Sequence, residues 1–238
     1  SMRVALVVCV AALLVSCGGG GGGSGASFFA PTAATVPSVS KAEAYRFLNQ
    51  ATFGATEADA AKLIALGDSS NAYSRWIDAE IAKPASVQLQ AVELAYPNPV
   101  PTGFSVATLH ANRAEQWFYN AMRGDDQLRQ RVAFALSEIM VVSQVGTLIN
   151  YPFATADFHD TLARNAFANF RVLIEQVSLH PAMGIYLNML GNQKAVAGTN
   201  LRPDENYARE MMQLFTIGLV QLNIDGTQKK DANGQPLP

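Results

Sequence analysis

The stretch 40-SKAEAYRFLNQATFGATEADAAKLIALG-67 decides the fold class. Ser40-Lys41-Ala42-Glu43 has the form of a capping box: a serine oxygen takes a free amide of the first turn and a glutamate reaches back to the cap, an arrangement worth about 1 kcal/mol. The helix it opens turns Tyr45, Phe47 and Leu48 inward and is expected to end near Gly54. Thr56 to Leu66 repeats the format, with Thr56 as cap and Gly67 as stop. Apolar residues recur with period 3.6, so the body starts as stacked helices.

The same period runs toward the C-terminus. Asn71 to Lys83 carries Tyr73, Trp76, Ile77 and Ile81 at helical spacing and closes at Pro84. Tyr96 to Gly103 reads as a proline-rich loop inside one domain. Ser105 to Arg123 ends at Gly124, and a helix from Asp126 to about Gln144, capped by Asp125 or Asp126, sets Leu128, Val132, Leu136, Ile139 and Met140 along one stripe. Further helices are expected at Thr155 to Ala168, Asn169 to Leu179, Pro181 to Leu190 and Asp204 to Ile217. Strand-like alternation enters only after Leu219, where VQLNIDGTQ with Asp225-Gly226, and later Asn233-Gly234, could make a hairpin. The expected fold is all-α: a multi-helix globular array with at most a short C-terminal β-hairpin. No repeat of fixed period is visible, which disfavours a solenoid.

Upstream of Ser40 the sequence changes character. After Arg3 an apolar run, VALVVCVAALLV, extends from Val4 to Val15, short for a bilayer span and the right length for a signal-peptide core. Leu14-Val15-Ser16-Cys17 follows and resembles the bacterial lipobox, in which the cysteine is acylated and becomes the mature N-terminus. An ordinary secretory signal with an incidental cysteine is the alternative. The two cysteines are Cys9 and Cys17, so cleavage before Cys17 leaves a body without disulfide or thiol nucleophile. Gly18 to Gly23, Ser24, Gly25 and Ala26 form a flexible tether, continued loosely from Pro31 to Val39. The organisation expected is a lipoprotein signal peptide at 1–16, a lipidated cysteine and tether at 17–39, and a helical domain at 40–238. Formal charge is −2 with acidic and basic residues interspersed, without the basic stripe that nucleic-acid binding needs.

The densest charge lies in RPDENYAREMMQLFTIG, Arg202 to Gly218. On a helical wheel Glu205, Asn206, Arg209, Glu210 and Gln213 share one side, while Tyr207, Met211, Met212, Leu214 and Phe215 share the other. Asp204 would cap this helix, Glu205 favours its positive end, and Glu205 with Arg209 makes a spacing-four pair worth a few tenths of a kcal/mol. An amphipathic helix with a solvated face accounts for most of the cluster. A reactive or binding site remains the other reading, with Arg202, Asp204 and Asn206 as ligand contacts.

The string Glu205 to Gly218, ENYAREMMQLFTIG, resembles the signature of a bacterial family called domain of unknown function 1800. Phe47 to Gly54 (FLNQATFG) resembles that family's opening helix and Gln127 to Ile139 (QLRQRVAFALSEI) its central one. Asn169-Phe170-Arg171 and His180-Pro181-Ala182-Met183 match the segment ahead of the signature, so the resemblance covers about residues 42 to 238. It implies a mostly helical, exported bacterial protein, often encoded beside a second secreted family, domain of unknown function 1501, which is sulfatase-like and would be its partner. It implies no reaction and no cofactor. Members usually continue further, so an N-terminal fragment is expected, whose polar helix face the remainder could cover.

Specific chemistries can be weighed against the residues. The three histidines, His110, His159 and His180, show neither HExxH spacing nor a cysteine partner, and Glu138, Glu175, Glu205 and Glu210 lack the Glu-x-x-His pairs of di-iron bundles; no metal site is assigned. Acid and base work could fall to Glu205 and Glu210 with Arg202 and Arg209 nearby and His180 as a base. Five positions apart, the two glutamates diverge by about 140° and do not grip one atom unaided. His180, just before Pro181, is equally placed to cap or pack a helix start. There is no G-x-S-x-G elbow and no phosphate loop, and Trp76, Trp117, Phe118 and Tyr119 read as core rather than as a carbohydrate platform. Two functions follow from this: an envelope scaffold or binding lipoprotein, or an envelope hydrolase-like enzyme centred on Glu205, Arg209, Glu210 and His180. Desolvation of that segment separates them.

Overall fold

The computed structural model describes residues 36–238; the signal, lipobox and tether readings, with Cys17, lie outside the described residues. Ten α-helices follow one another: α1 Lys41–Ala51, α2 Glu57–Ala65, α3 Ala72–Ile81, α4 Leu89–Ala95, α5 Leu109–Arg123, α6 Gln127–Ile139, α7 Pro152–Arg164, α8 Phe170–Leu179, α9 Pro181–Tyr186 and α10 Asn206–Met212. Single 3-10 turns stand before α5 and α7, and a π-helical turn, Gln213–Ile217, continues α10. Both opening caps form as the sequence requires. Ser40 and Glu43 exchange bonds in one box, and Thr56 and Asp59 do so in the next.

Three apolar clusters carry the packing. Val39, Ala44, Leu48, Ala60, Leu63 and Ala72 join α1, α2 and α3, with Phe47 stacked edge-on against Trp76. Val92, Leu109 and Ala156 tie α4 to α5 and α7. The largest cluster centres on Phe158, Leu162, Val177 and Met183 and extends to Tyr207 and Phe215, which dock α10 and its π-turn. A fully buried Leu or Phe side chain contributes about 2 kcal/mol, so these contacts dominate helix placement.

Several helices differ from expectation, each for a physical reason. The segment Leu89–Ala95, unassigned in the sequence, is helical although Gln88 at its cap makes no capping bond. Its first amides are satisfied from α7: the Asp160 carboxylate accepts from the Gln88 N–H at 2.7 Å and the Leu89 N–H at 2.9 Å. On α6 the expected inward stripe is only part of the story. Met140 is buried, but Ile139 is exposed, and Arg129, Gln130 and Ala133 turn inward. The helix stops at Ile139 rather than near Gln144. Asp126 stands at its N-cap, yet its carboxylate turns to Ser86, taking the N–H at 2.9 Å and the hydroxyl at 2.6 Å.

Elsewhere, α7 starts earlier, at Pro152, whose missing N–H suits a first turn, and ends at Arg164. The helix from Pro181 stops at Tyr186 rather than Leu190. Phe118 and Tyr119 are exposed, whereas Trp117 packs against Phe53 and Phe134. The tail turns at Gly226 and Gly234, both at positive φ, and pairs through isolated bridges, Leu222 with Gln228 and Lys230 with Pro236, in place of a full hairpin. No helix among the described residues is long and apolar enough to cross a membrane.

A layer of polar side chains lies inside. Arg129 donates to the carbonyls of Ile81, Lys83 and Ala163 and lies over the Phe167 ring. Gln130 bridges Ser86 O and Asp126. Burial raises the Asp160 carboxyl above its usual range, the two amides and Arg164 pulling it back. Asp160→Ala strands two amides, Arg164 keeping Asp157, so it is expected to cost about 3 kcal/mol, with Asp160→Asn costing less, as read by urea denaturation at neutral pH. A cost under about 0.5 kcal/mol for the alanine variant would remove Asp160 as the support of α4.

Candidate functional site

The segment Arg202–Glu210 forms the start of α10 and the loop before it. Asp204 sits one residue ahead of the cap position, and its Oδ1 accepts the Asn206 N–H at 2.8 Å, so it serves the first turn as the sequence suggests. Asp204 is also fastened to the preceding loop: Asn188 donates to its Oδ2 at 3.1 Å, and Asn192 exchanges two bonds with its backbone at 2.7 and 2.9 Å. Arg202 donates to the carbonyls of Thr199 and Leu201. These residues line an open concavity of about 340 Å³ with Leu190, Gly191 and Gln193.

The charged face is wet. Glu205 and Arg209 form the expected spacing-four ion pair, with 74% and 53% of their side chains exposed. Asn206 and Glu210 are half-buried, and Glu210 makes no ion pair among the described residues. The opposite face departs from the wheel. Tyr207 and Phe215 are buried, Met211 is half-buried, but Met212 and Leu214 are exposed, as is Ile217. The cause is the switch to π geometry at Gln213, where Thr216 Oγ1 donates back to the Met211 and Met212 carbonyls at 2.7 and 3.0 Å. The five-residue turn changes the angular register for Leu214 and Ile217, whereas Met212 precedes it and stands about 140° round the wheel from Tyr207, at the edge of the apolar side.

His180 stands apart, between α8 and α9. Its Nδ1 accepts the Ala182 N–H at 3.1 Å, capping α9, so Nε2 carries the proton and donates to Asp157 Oδ2 at 3.2 Å. Phe158 packs edge-on against the ring. Both nitrogens are thereby engaged, leaving no free lone pair for a substrate proton. Burial lowers the His180 pKa against the pull of Asp157. No hydrogen bond joins His180 to residues 202–210 among the described residues.

The larger cleft lies elsewhere. About 580 Å³ opens between the ends of α1 and α3 and the turn joining α5 to α6, lined by Asp59, Lys62, Trp76, Glu80, Lys83 and Arg123 among others. Sequence reasoning had only Trp76 from that set. Glu80 and Lys83 follow Trp76 at spacings of four and seven, a helical signal that could have grouped them, whereas Asp59, Lys62 and Arg123 come from other segments. Glu80 is buried there, bonded to Lys83 and accepting the Leu128 N–H at 3.3 Å. Among the described residues, no three or more His, Cys, Asp or Glu side chains gather as metal ligands.

This is an all-α protein whose sequence-singled segment is a solvent-open, ion-paired helix start beside a shallow polar concavity. Residues 46–232 match the family described as Protein of unknown function (DUF1800), and the chain belongs to it. No curated protein and no solved structure matches the chain.

Two outcomes follow from the site's electrostatics. Glu205→Ala or Arg209→Ala should cost under about 1 kcal/mol in chemical denaturation, as for exposed pairs. The histidines set the acid limit: burial lowers His110 and His180, and burial plus the nearby Arg113 lowers His159 from 6.5 to about 4. The unfolded chain therefore binds more protons below pH 6.5, and the contribution is full above that pH and lost as pH falls toward 4. For His159 the loss amounts to up to roughly 3 kcal/mol. Urea denaturation between pH 7.5 and pH 4.5 should show this decline at a shallower slope in His159→Gln (pH values chosen to bracket about 6.5 and about 4).

Proposed function

We propose that this DUF1800 member is a bacterial cell-envelope lipoprotein, held to the membrane through Cys17, whose helical body binds a secreted partner with the Arg202–Glu210 segment. The observation that carries the reading is the exposure of the Glu205–Arg209 pair. An acid/base centre works on groups sheltered from water, whereas a recognition surface keeps them reachable. Next to the pair, Met212, Leu214 and Ile217 add exposed apolar area, the mixture of apolar anchor and charged rim that interfaces use. Arg202 and Asp204 supply further polar groups lining the concavity, and Asn206 follows them on the first turn of α10. The lipobox-like LVSC and the glycine tether support the anchor, since they would place such a surface at a distance from the bilayer.

The partner of choice is the sulfatase-like secreted protein of the domain of unknown function 1501 family. The purified partner should bind the wild-type chain, and Arg209→Glu or Glu205→Arg should weaken that binding about tenfold or more by placing like charges across the contact. Equal affinity in both variants would end the surface assignment. Hydrolytic activity lost in Glu210→Gln, with partner binding intact, would instead favour an enzyme. For the anchor, Cys17→Ala should shift the protein from the membrane fraction to the soluble one. A variant still on the membrane would contradict acylation at Cys17.

A further inference from the structure

The half-buried cation Arg113 carries a requirement that the proposed function leaves unmet. Arg113 is half-buried on α5, its Nε is enclosed without a hydrogen-bond partner, and among the described residues it forms no ion pair. Its one hydrogen-bond acceptor among these residues is a neutral amide, Gln144 Oε1 at 3.0 Å, on an exposed residue of the loop after α6. A partly desolvated guanidinium without a counterion is costly unless acceptors take up its N–H groups, as three carbonyls do for Arg129, whereas Arg113 has one amide.

The groups around Arg113 sharpen the point. His110, three residues earlier on the same helix face, is 6% exposed; its Nε2 lies 3.2 Å from both the Leu148 and Ile149 carbonyls and so carries the proton, leaving Nδ1 as a buried acceptor without a partner. His159 comes from α7, which packs on α5, and the field of Arg113 reaches it as well as His110. Neither histidine is charged at neutral pH, so both leave Arg113 as the single positive charge of the cluster.

We propose that Arg113, flanked by His110 and His159, is the receptor for a carboxylate-bearing ligand that takes the place of Gln144 on the guanidinium. The charge balance selects the class. One cation with two neutral rings matches a monoanion, and the planar guanidinium fork fits a carboxylate through two parallel bonds. A phosphate dianion would leave one negative charge buried unless a histidine took up a proton. Gln144 offers the entrance, because it is exposed and can swing away without stranding a charge.

The test uses the full chain with acetate, N-acetylalanine and inorganic phosphate as probes, against chloride at matched ionic strength. Acetate or N-acetylalanine should raise the melting temperature in a concentration-dependent way, and N-acetylalanine acting alone would point to a peptide C-terminus as the source. Binding should vanish in Arg113→Gln and weaken about tenfold in Arg113→Lys, which keeps the charge and loses the fork. Reciprocal linkage gives a second readout: bound carboxylate should raise the His159 pKa, seen in the pH titration of its ring resonances. No stabilisation beyond chloride, stabilisation equal in Arg113→Lys and wild type, a His159 titration unmoved by acetate, or a preference for phosphate would each overturn the assignment.

Discussion

The fold depends on how a short irregular stretch, Ile81 to Leu89, is held among three helices. It runs from the end of α3 to the start of α4, and its backbone groups bond to side chains in place of a regular ladder. Arg129 takes the Ile81 and Lys83 carbonyls, Asp126 and Gln130 clasp Ser86, and Asp160 receives the Gln88 and Leu89 amides. Backbone polar groups enclosed without partners cost about 1–3 kcal/mol each, so these side chains make the placement tolerable. The same bonds tie α6 and α7 to the segment between α3 and α4. Apolar contact alone has little directional preference; the carboxylates and the guanidinium supply it.

Charges in this protein thus fall into two populations. Asp126, Arg129 and Asp160 are inside and fully committed to structure, as is His180, with one nitrogen capping α9 and the other on Asp157. Glu205 and Arg209 stand in water and bond chiefly to each other. The first population is expensive to alter, because its bonds hold backbone groups that have no other partner. The second is cheap to alter, which suits a surface where specificity rests on charge pattern. Arg113 belongs to neither: it is half-buried, and its guanidinium meets a neutral amide in place of a partner charge.

Much of the architecture was legible from local rules. The boxes at Ser40 and Thr56, the stop at Gly124 and the Asp204 contact to the first turn of α10 involve residues within a few positions of one another, and such chemistry survives in any context. The misses share a cause. Helix α4 has no cap of its own and borrows one from Asp160, more than 70 positions away. The inward face of α6 was misjudged because Arg129 and Gln130 read as solvent-facing until the carbonyls they satisfy are known. The outward turn of Leu214 follows from a π-turn that no apolar period announces.

By itself the sequence determined the helical class, the cap positions, the family signature Glu205 to Gly218 and the ion pair of Glu205 with Arg209, because each rests on interactions spanning four residues or a contiguous string. Tertiary structure decided which charges are sheltered. Enclosure depends on what neighbouring helices bring, and no spacing along one chain segment encodes it. That is why His180 proved to be a cap, and why Arg113, inconspicuous in the sequence, became a half-buried cation without a counterion among the described residues.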